Sequence, residues 1–138
     1  MSSTESPSRQ ALVLFAHGAR DARWREPFDR LQQKLAVAWP RGAVRLAFLE
    51  LMTPDLPACL SELAAARVTD VTVVPVFFGQ GGHLRRDLPA LVDQCRQQYP
   101  SLRIRCAAAV GESDGVLDAI AAYCVASLAA PDAGHRPS

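Results

Sequence analysis

An apolar run at Val71–Phe78 breaks off into three glycines within four residues, Gly79, Gly81 and Gly82, and then into His83 and two arginines as a helical pattern begins. A run of that length with so little polar alternation asks to be buried on both faces, as a strand is in a parallel sheet covered by helices. Val71–Pro89 therefore reads as strand, tight turn and helix start. Open α/β sheets bind ligands in the crevice outside the carboxyl ends of their strands, and His83 falls there. The glycines permit positive φ and leave room for a bulky ligand. A helix starting near His83 or Leu84 sets partial positive charge beside the imidazole, which keeps a lone pair free at neutral pH.

The rest of the chain repeats this pattern. Ala11–Ala16 is a second apolar run, ending at His17-Gly18-Ala19-Arg20, so another histidine lies at a strand's carboxyl end. Trp24, Phe28, Leu31, Leu35 and Trp39 recur at helical spacing, with Pro27 near the start of the regular part. Ala43–Leu51 reads as a strand ending in Glu50, and Thr53-Pro54-Asp55 as a helix start with Thr53 as cap. Leu56, Cys59, Leu60 and Leu63 form that helix's inner face. After His83 a helix buries Leu84, Leu88, Leu91, Val92 and Cys95, with Pro89 implying either a start near Leu88 or a kink. Leu102–Val110 is the last strand, and Ser113 or Asp114 caps a final helix carrying Val116, Leu117, Ile120, Cys124 and Leu128.

The alternation βαβαβαβα predicts an α/β fold: one domain, a four-stranded parallel sheet in the order 2-1-3-4, with helices on both faces. The expected division is a disordered leader at 1–10, the domain at 11–130 and a flexible tail at 131–138. In that order the switch point lies between the first and third strands, so the loops carrying His17 and His83 meet across one strand spacing, roughly 5 Å.

Composition narrows the function by exclusion. A formal charge of +1 gives no drive toward nucleic acid. No segment has the length or hydrophobicity of a membrane span or signal peptide, which predicts a cytoplasmic protein. Four cysteines without a CxxC pair read as buried thiols in a reducing compartment. GQGGHL fails the dinucleotide fingerprint, and neither a P-loop nor a GxSxG elbow occurs.

Two neutral imidazoles on adjacent loops, His17 and His83, can share a divalent ion, and two protein ligands leave coordination positions open. That suits passing the ion on better than storing it. Glu50 at the end of an apolar strand reads as a proton acceptor or third ligand, or as an arginine's salt-bridge partner. Arg20, Arg23, Arg25, Arg85 and Arg86 fall on the turns after the first and third strands, which suggests a ligand bearing several carboxylates or phosphates.

AHGAR, FLELMTPDLP and VPVFFGQGGHLRRDLP, in that order and spacing, resemble the motifs of the short CbiX/SirB-type sirohydrochlorin chelatases over residues 11–125. Ala16 and Ala19 stand where that pattern more often has a glycine and a hydroxyl, and Gly79 where leucine is common. The resemblance implies a lyase inserting Co²⁺ or Fe²⁺, or Ni²⁺ in some relatives, into sirohydrochlorin for cobalamin or sirohaem biosynthesis. It implies His17 and His83 as metal and proton handlers and Glu50 as their assistant; the reading of the rim and the glycine turn adds Arg20, Gly81, Gly82, Arg85 and Arg86 as expected substrate contacts. It implies no permanently bound cofactor, the metal being substrate, and a homodimer with no nucleic-acid or membrane partner. Two other readings fit the same histidines: a histidine-phosphatase-like hydrolase, whose arginine before the first histidine is Ala16 here, and a non-catalytic metal carrier.

Overall fold

The computed structural model describes residues 9–79 and 81–129, without the side chains of 82–85; residues 1–8 of the leader expected at 1–10 and all of the tail expected at 131–138 lie outside the described residues. Strands β1 (Gln10–Ala16), β2 (Ala43–Phe48), β3 (Asp70–Pro75) and β4 (Arg103–Cys106) alternate with helices α1 (Glu26–Ala38), α2 (Leu56–Ala65), α3 (Gly82–Gln98) and α4 (Asp114–Ser127). The strands form one parallel sheet in the order β2-β1-β3-β4, as the alternation predicts.

Side chains alternate between the two faces of each strand. Ala11, Val13 and Phe15 of β1, with Val71, Val73 and Ile104, point to one face, where Leu56, Cys59, Leu60 and Leu63 of α2 and Leu88, Val92 and Cys95 of α3 bury them. Leu14, Ala16, Val44, Leu46 and Phe48 point to the other, where Trp24, Phe28, Leu31 and Leu35 close over them. Right-handed crossovers give this division, since the chain steps one way from β1 to β2 and back the other way to β3 and β4.

Several boundaries move from their expected places. Arg9 and Gln10 belong to the body: the Arg9 amide donates to Thr69 Oγ1 at 2.9 Å, and Gln10 opens β1. β2 stops at Phe48, so Glu50 sits on a loop rather than on the strand. The cap of α2 is Asp55, not Thr53; its carboxylate accepts from the Ala58 amide at 2.9 Å, and Pro57 follows in the first turn. α3 begins at Gly82 with Pro89 inside it, which removes the alternative of a start near Leu88. Cys59 and Cys95 are buried as expected, but Cys106 and Cys124 are exposed. None of the apolar positions of α4 is buried among the described residues. No described helix is long and apolar enough to cross a membrane.

Candidate active site at the carboxyl end of the sheet

The β1–β2 ladder continues past the strand ends. The Leu49 amide donates to the Ala16 carbonyl at 2.8 Å and the Glu50 amide to the His17 carbonyl at 3.1 Å. Beyond them Leu51 takes φ 67°, and the Met52 amide returns to the Glu50 carbonyl. This turn brings the Glu50 carboxylate beside the imidazole, with His17 Nε2 and Glu50 Oε1 3.1 Å apart. Gly18 makes the approach possible: it takes φ 94°, and a Cβ there would run into the Glu50 carbonyl.

A carboxylate only accepts, so Nε2 donates to Oε1 and the Nδ1 lone pair faces elsewhere, available to a proton or a cation. Both side chains are a little over half exposed, at 53% and 56%. A pair so open to water stabilises the fold by about 1 kcal/mol or less. Its consequence is orientation: it sets which ring nitrogen is free.

Phe77 fixes the ring from the other side. Its side chain is buried, stands edge-on to the imidazole at 6.3 Å between centroids and 90° between planes, and meets Phe15 in the same way at 5.9 Å. Its carbonyl accepts the Gly111 amide at 3.0 Å, and a Cβ on Gly111 would strike the Phe78 carbonyl. Phe77 thus joins the β1 loop to the short 3-10 turn Val110–Glu112 after β4. Sequence reading took it only as part of an apolar run; its position at the end of β3, next to the switch point, was the available signal. Phe78 and Leu51, the neighbours of Phe77 and Glu50 in the chain, leave 68% and 57% of their surfaces exposed and make the rim apolar.

The arginines divide. Arg23 is held by Asp21 through two bonds, and that contact keeps the exposed Asp21 carboxyl below its ordinary range. Arg25 pairs with Asp29 at 3.1 Å, lies over the Phe48 ring at 5.1 Å and donates to the Thr53 carbonyl. Both are thus already engaged by neighbouring acids. Arg20 and Arg86 are exposed. The side chains of His83 and Arg85 lie outside the described residues, while the backbone puts His83 in the first turn of α3 with Gly81 as cap.

Gly79 and Gly81 have no neighbour that a Cβ would meet, and neither takes positive φ; Gly81 has φ −68°. Their service is open space rather than the unusual backbone first expected. Among the described residues no three His, Cys, Asp or Glu side chains gather to hold a metal. Cys59 does not enter: burial pushes its thiol up to about 11, away from the thiolate that binds metals.

The CbiX family model matches residues 11–125. The sirohydrochlorin cobaltochelatase of Methanococcus aeolicus is 28% identical over 83 residues, 60% of this chain and 58% of that protein. The matched stretch spans about three fifths of the length of such curated relatives. Among solved structures, a CbiX protein from Marinobacter aquaeolei VT8 superimposes with TM-score 0.77 at 30% identity, covering 86% of this chain and 97% of that one. The sirohydrochlorin chelatase SirB from Bacillus subtilis subspecies spizizenii, in complex with cobalt, gives TM-score 0.73 at 21% identity, over 86% of this chain and 50% of that one. That last likeness is one of fold.

Proposed function

The chain belongs to the CbiX family, and from that premise we propose that it is a chelatase inserting a divalent metal ion, Co²⁺ or Fe²⁺ and in a wider reading Ni²⁺, into sirohydrochlorin. The observation that carries the proposal is the His17–Glu50 pair, held at the carboxyl end of the sheet by a continued backbone ladder and left open to solvent. The names of the relatives and the cobalt bound in the SirB structure point the same way.

Insertion releases two pyrrole N–H protons and binds the ion to the four ring nitrogens while the ion sheds its waters. The proposed site meets each need. Nδ1 of His17 is a neutral donor to the arriving ion or an acceptor for a pyrrole proton, and Glu50 takes up charge on the far side of the ring. His83, from the β3 loop across the switch point, is the proposed second ligand or base. Gly81 leaves room for the macrocycle, with Gly82 proposed to do the same, exposed Leu51 and Phe78 suit its flat apolar surface, and Arg20, Arg85 and Arg86 are proposed partners for its carboxylates. Distorting the ring toward insertion would draw on binding of those remote carboxylates. The metal is substrate here, with no resident cofactor proposed. The working unit is proposed to be a homodimer in the cytoplasm, since one domain offers only one wall of a crevice.

The test is a visible-spectrum insertion assay across Fe²⁺, Co²⁺ and Ni²⁺. His17→Ala and His83→Ala are expected to lose about 10²- to 10⁴-fold in rate, and Glu50→Gln somewhat less. Full activity in both histidine variants would overturn the roles. Tight metal binding with insertion no faster than the spontaneous reaction would replace the enzyme with a carrier.

A further inference from the structure

Two residues other than glycine take positive φ among those described, Leu51 at 67° and Arg67 at 64°. Arg67 has an ordinary reason. It follows the last turn of α2, where its amide donates to the Ala64 carbonyl and the Val68 amide to the Leu63 carbonyl, the paired bonds that close a helix on a left-handed residue. Leu51 has no helix to close. The Met52 amide returns across it to the Glu50 carbonyl at 2.8 Å, so Leu51 is the centre of a three-residue turn of the rare, strained hand. A bulky side chain is disfavoured there, and glycine or asparagine is the residue that fits.

The neighbours of Leu51 each have an occupation inside the chain. Leu49 packs against the core on the side of α2 and α3, Met52 against the core under α1, and Glu50 holds His17. Leu51 instead leaves 57% of its surface exposed. The strain thus turns an apolar side chain outward with little gain in packing, and strain kept at the edge of a site points to a ligand.

Phe78 is the counterpart. Its side chain is 68% exposed, while its backbone is held hard against Gly111. Apart from Val37 of α1 and the residues of α4 and its end, these two are the large exposed apolar side chains among the described residues. The order β2-β1-β3 puts them on the loops at either side of the β1 loop that carries His17. Two strand spacings, roughly 10 Å, separate the strands they follow.

We infer that Leu51 and Phe78 are specificity-determining residues, two apolar supports that take opposite sides of one face of a macrocycle and centre it over His17. A flat ring resting on both presents its nitrogens to the imidazole between them. A ligand the width of a single pyrrole reaches only one support, so the pair selects for a large planar ligand. The contact is made as fully before metal enters the ring as during insertion, so it acts on binding and not on the chemical step. The inference rests on the chelatase reading above and adds which residues recognise the body of the substrate rather than its carboxylates.

The test pairs stability with kinetics. Leu51→Gly suits the turn, relieves the left-handed strain and deletes one support. Its denaturant midpoint is expected at or above that of wild type, with KM for sirohydrochlorin raised about tenfold and kcat unchanged. Leu51→Asn, which also suits the turn, should raise KM equally. Phe78→Ala is expected to do the same, and the Leu51→Gly, Phe78→Ala double variant to show about the product of the two effects. Arg67→Gly is the control: it gives the same relief of φ at the amino end of the sheet, with KM unchanged. Titration with metal-free sirohydrochlorin, followed in the visible spectrum, should show the same losses of affinity. A lowered midpoint in Leu51→Gly would show that the side chain packs within the chain and would overturn the inference. So would an unchanged KM, or a fall in kcat alone, beside a wild type that inserts metal; the chelatase reading then stands. A wild type that neither binds nor metallates sirohydrochlorin sinks that reading and this inference with it.

Discussion

One face of the sheet holds two contrasting halves. Over β1 and β2, Leu14, Ala16, Leu46 and Phe48 are buried beneath Trp24, Phe28, Leu31 and Leu35 of α1. Over β3 and β4, Thr72, Arg103 and Arg105 line a groove and Val74 is half-buried, with no helix over them among the described residues. Both halves are followed by an apolar helix in the sequence, yet only the first helix lies on its own strands. The difference teaches that an apolar face states a need for cover without naming the molecule that supplies it. It also has a local setting: α1 follows its strand through the loop at 17–21 and a 3-10 turn at Ala22–Arg25, whereas α4 follows a turn bonded to the Phe77 carbonyl and packed on Phe78.

The sharpest way to break the contrast is Phe48→Ala. Phe48 is fully buried under α1 and beneath the Arg25 guanidinium. Its truncation is expected to cost about 4 kcal/mol of unfolding free energy, measured as a shift in denaturant midpoint at constant slope. A loss under about 1 kcal/mol would mean this half is no better packed than the other.

The opposite face supplies an intermediate effect through pH. The Cys59 thiol, pressed between α2 and the sheet, holds its proton to about pH 11 when folded, while the unfolded thiol releases it near 9. The folded state binds more protons in that window, so stability is fully present below pH 9 and falls as pH rises toward 11, by on the order of 2 kcal/mol. Burial raises Cys95 as well, in the same direction. Cys59→Ala should flatten the alkaline slope of stability in part; an unchanged slope would show that water reaches this thiol.

The smallest effect sharpens the comparison most. Val74→Ala, in the open half, should cost about 1 kcal/mol or less in dilute protein, against about 3 kcal/mol for Leu46→Ala in the covered half. If a second copy covers Val74, the cost grows with protein concentration, because association and folding are then linked. A Val74 cost as large as that of Leu46, and independent of concentration, would place a helix over both halves within one chain.

The site divides in the same way between what could be read and what could not. His17 at the end of β1 was legible because an apolar run closing on His-Gly has few other readings in a parallel sheet. Glu50 was singled out for the wrong local reason. Sequence put it on the strand, whereas it reaches His17 because the loop after Phe48 bends back and keeps donating to β1. Phe77 was missed since one aromatic in an apolar run carries no mark of the ring it will touch. Arg25 was misjudged because charge and position do not reveal that Asp29 and Phe48 lie within reach.

The order of strands and their parallel pairing followed from the sequence alone, because those depend on periodicity and handedness, which are local or nearly so. The tertiary structure decided which buried faces are satisfied inside one chain, which arginines are already spoken for, and which nitrogen of His17 is left free. Those are matters of contact between segments far apart in sequence, and contact is settled only when the whole chain has packed.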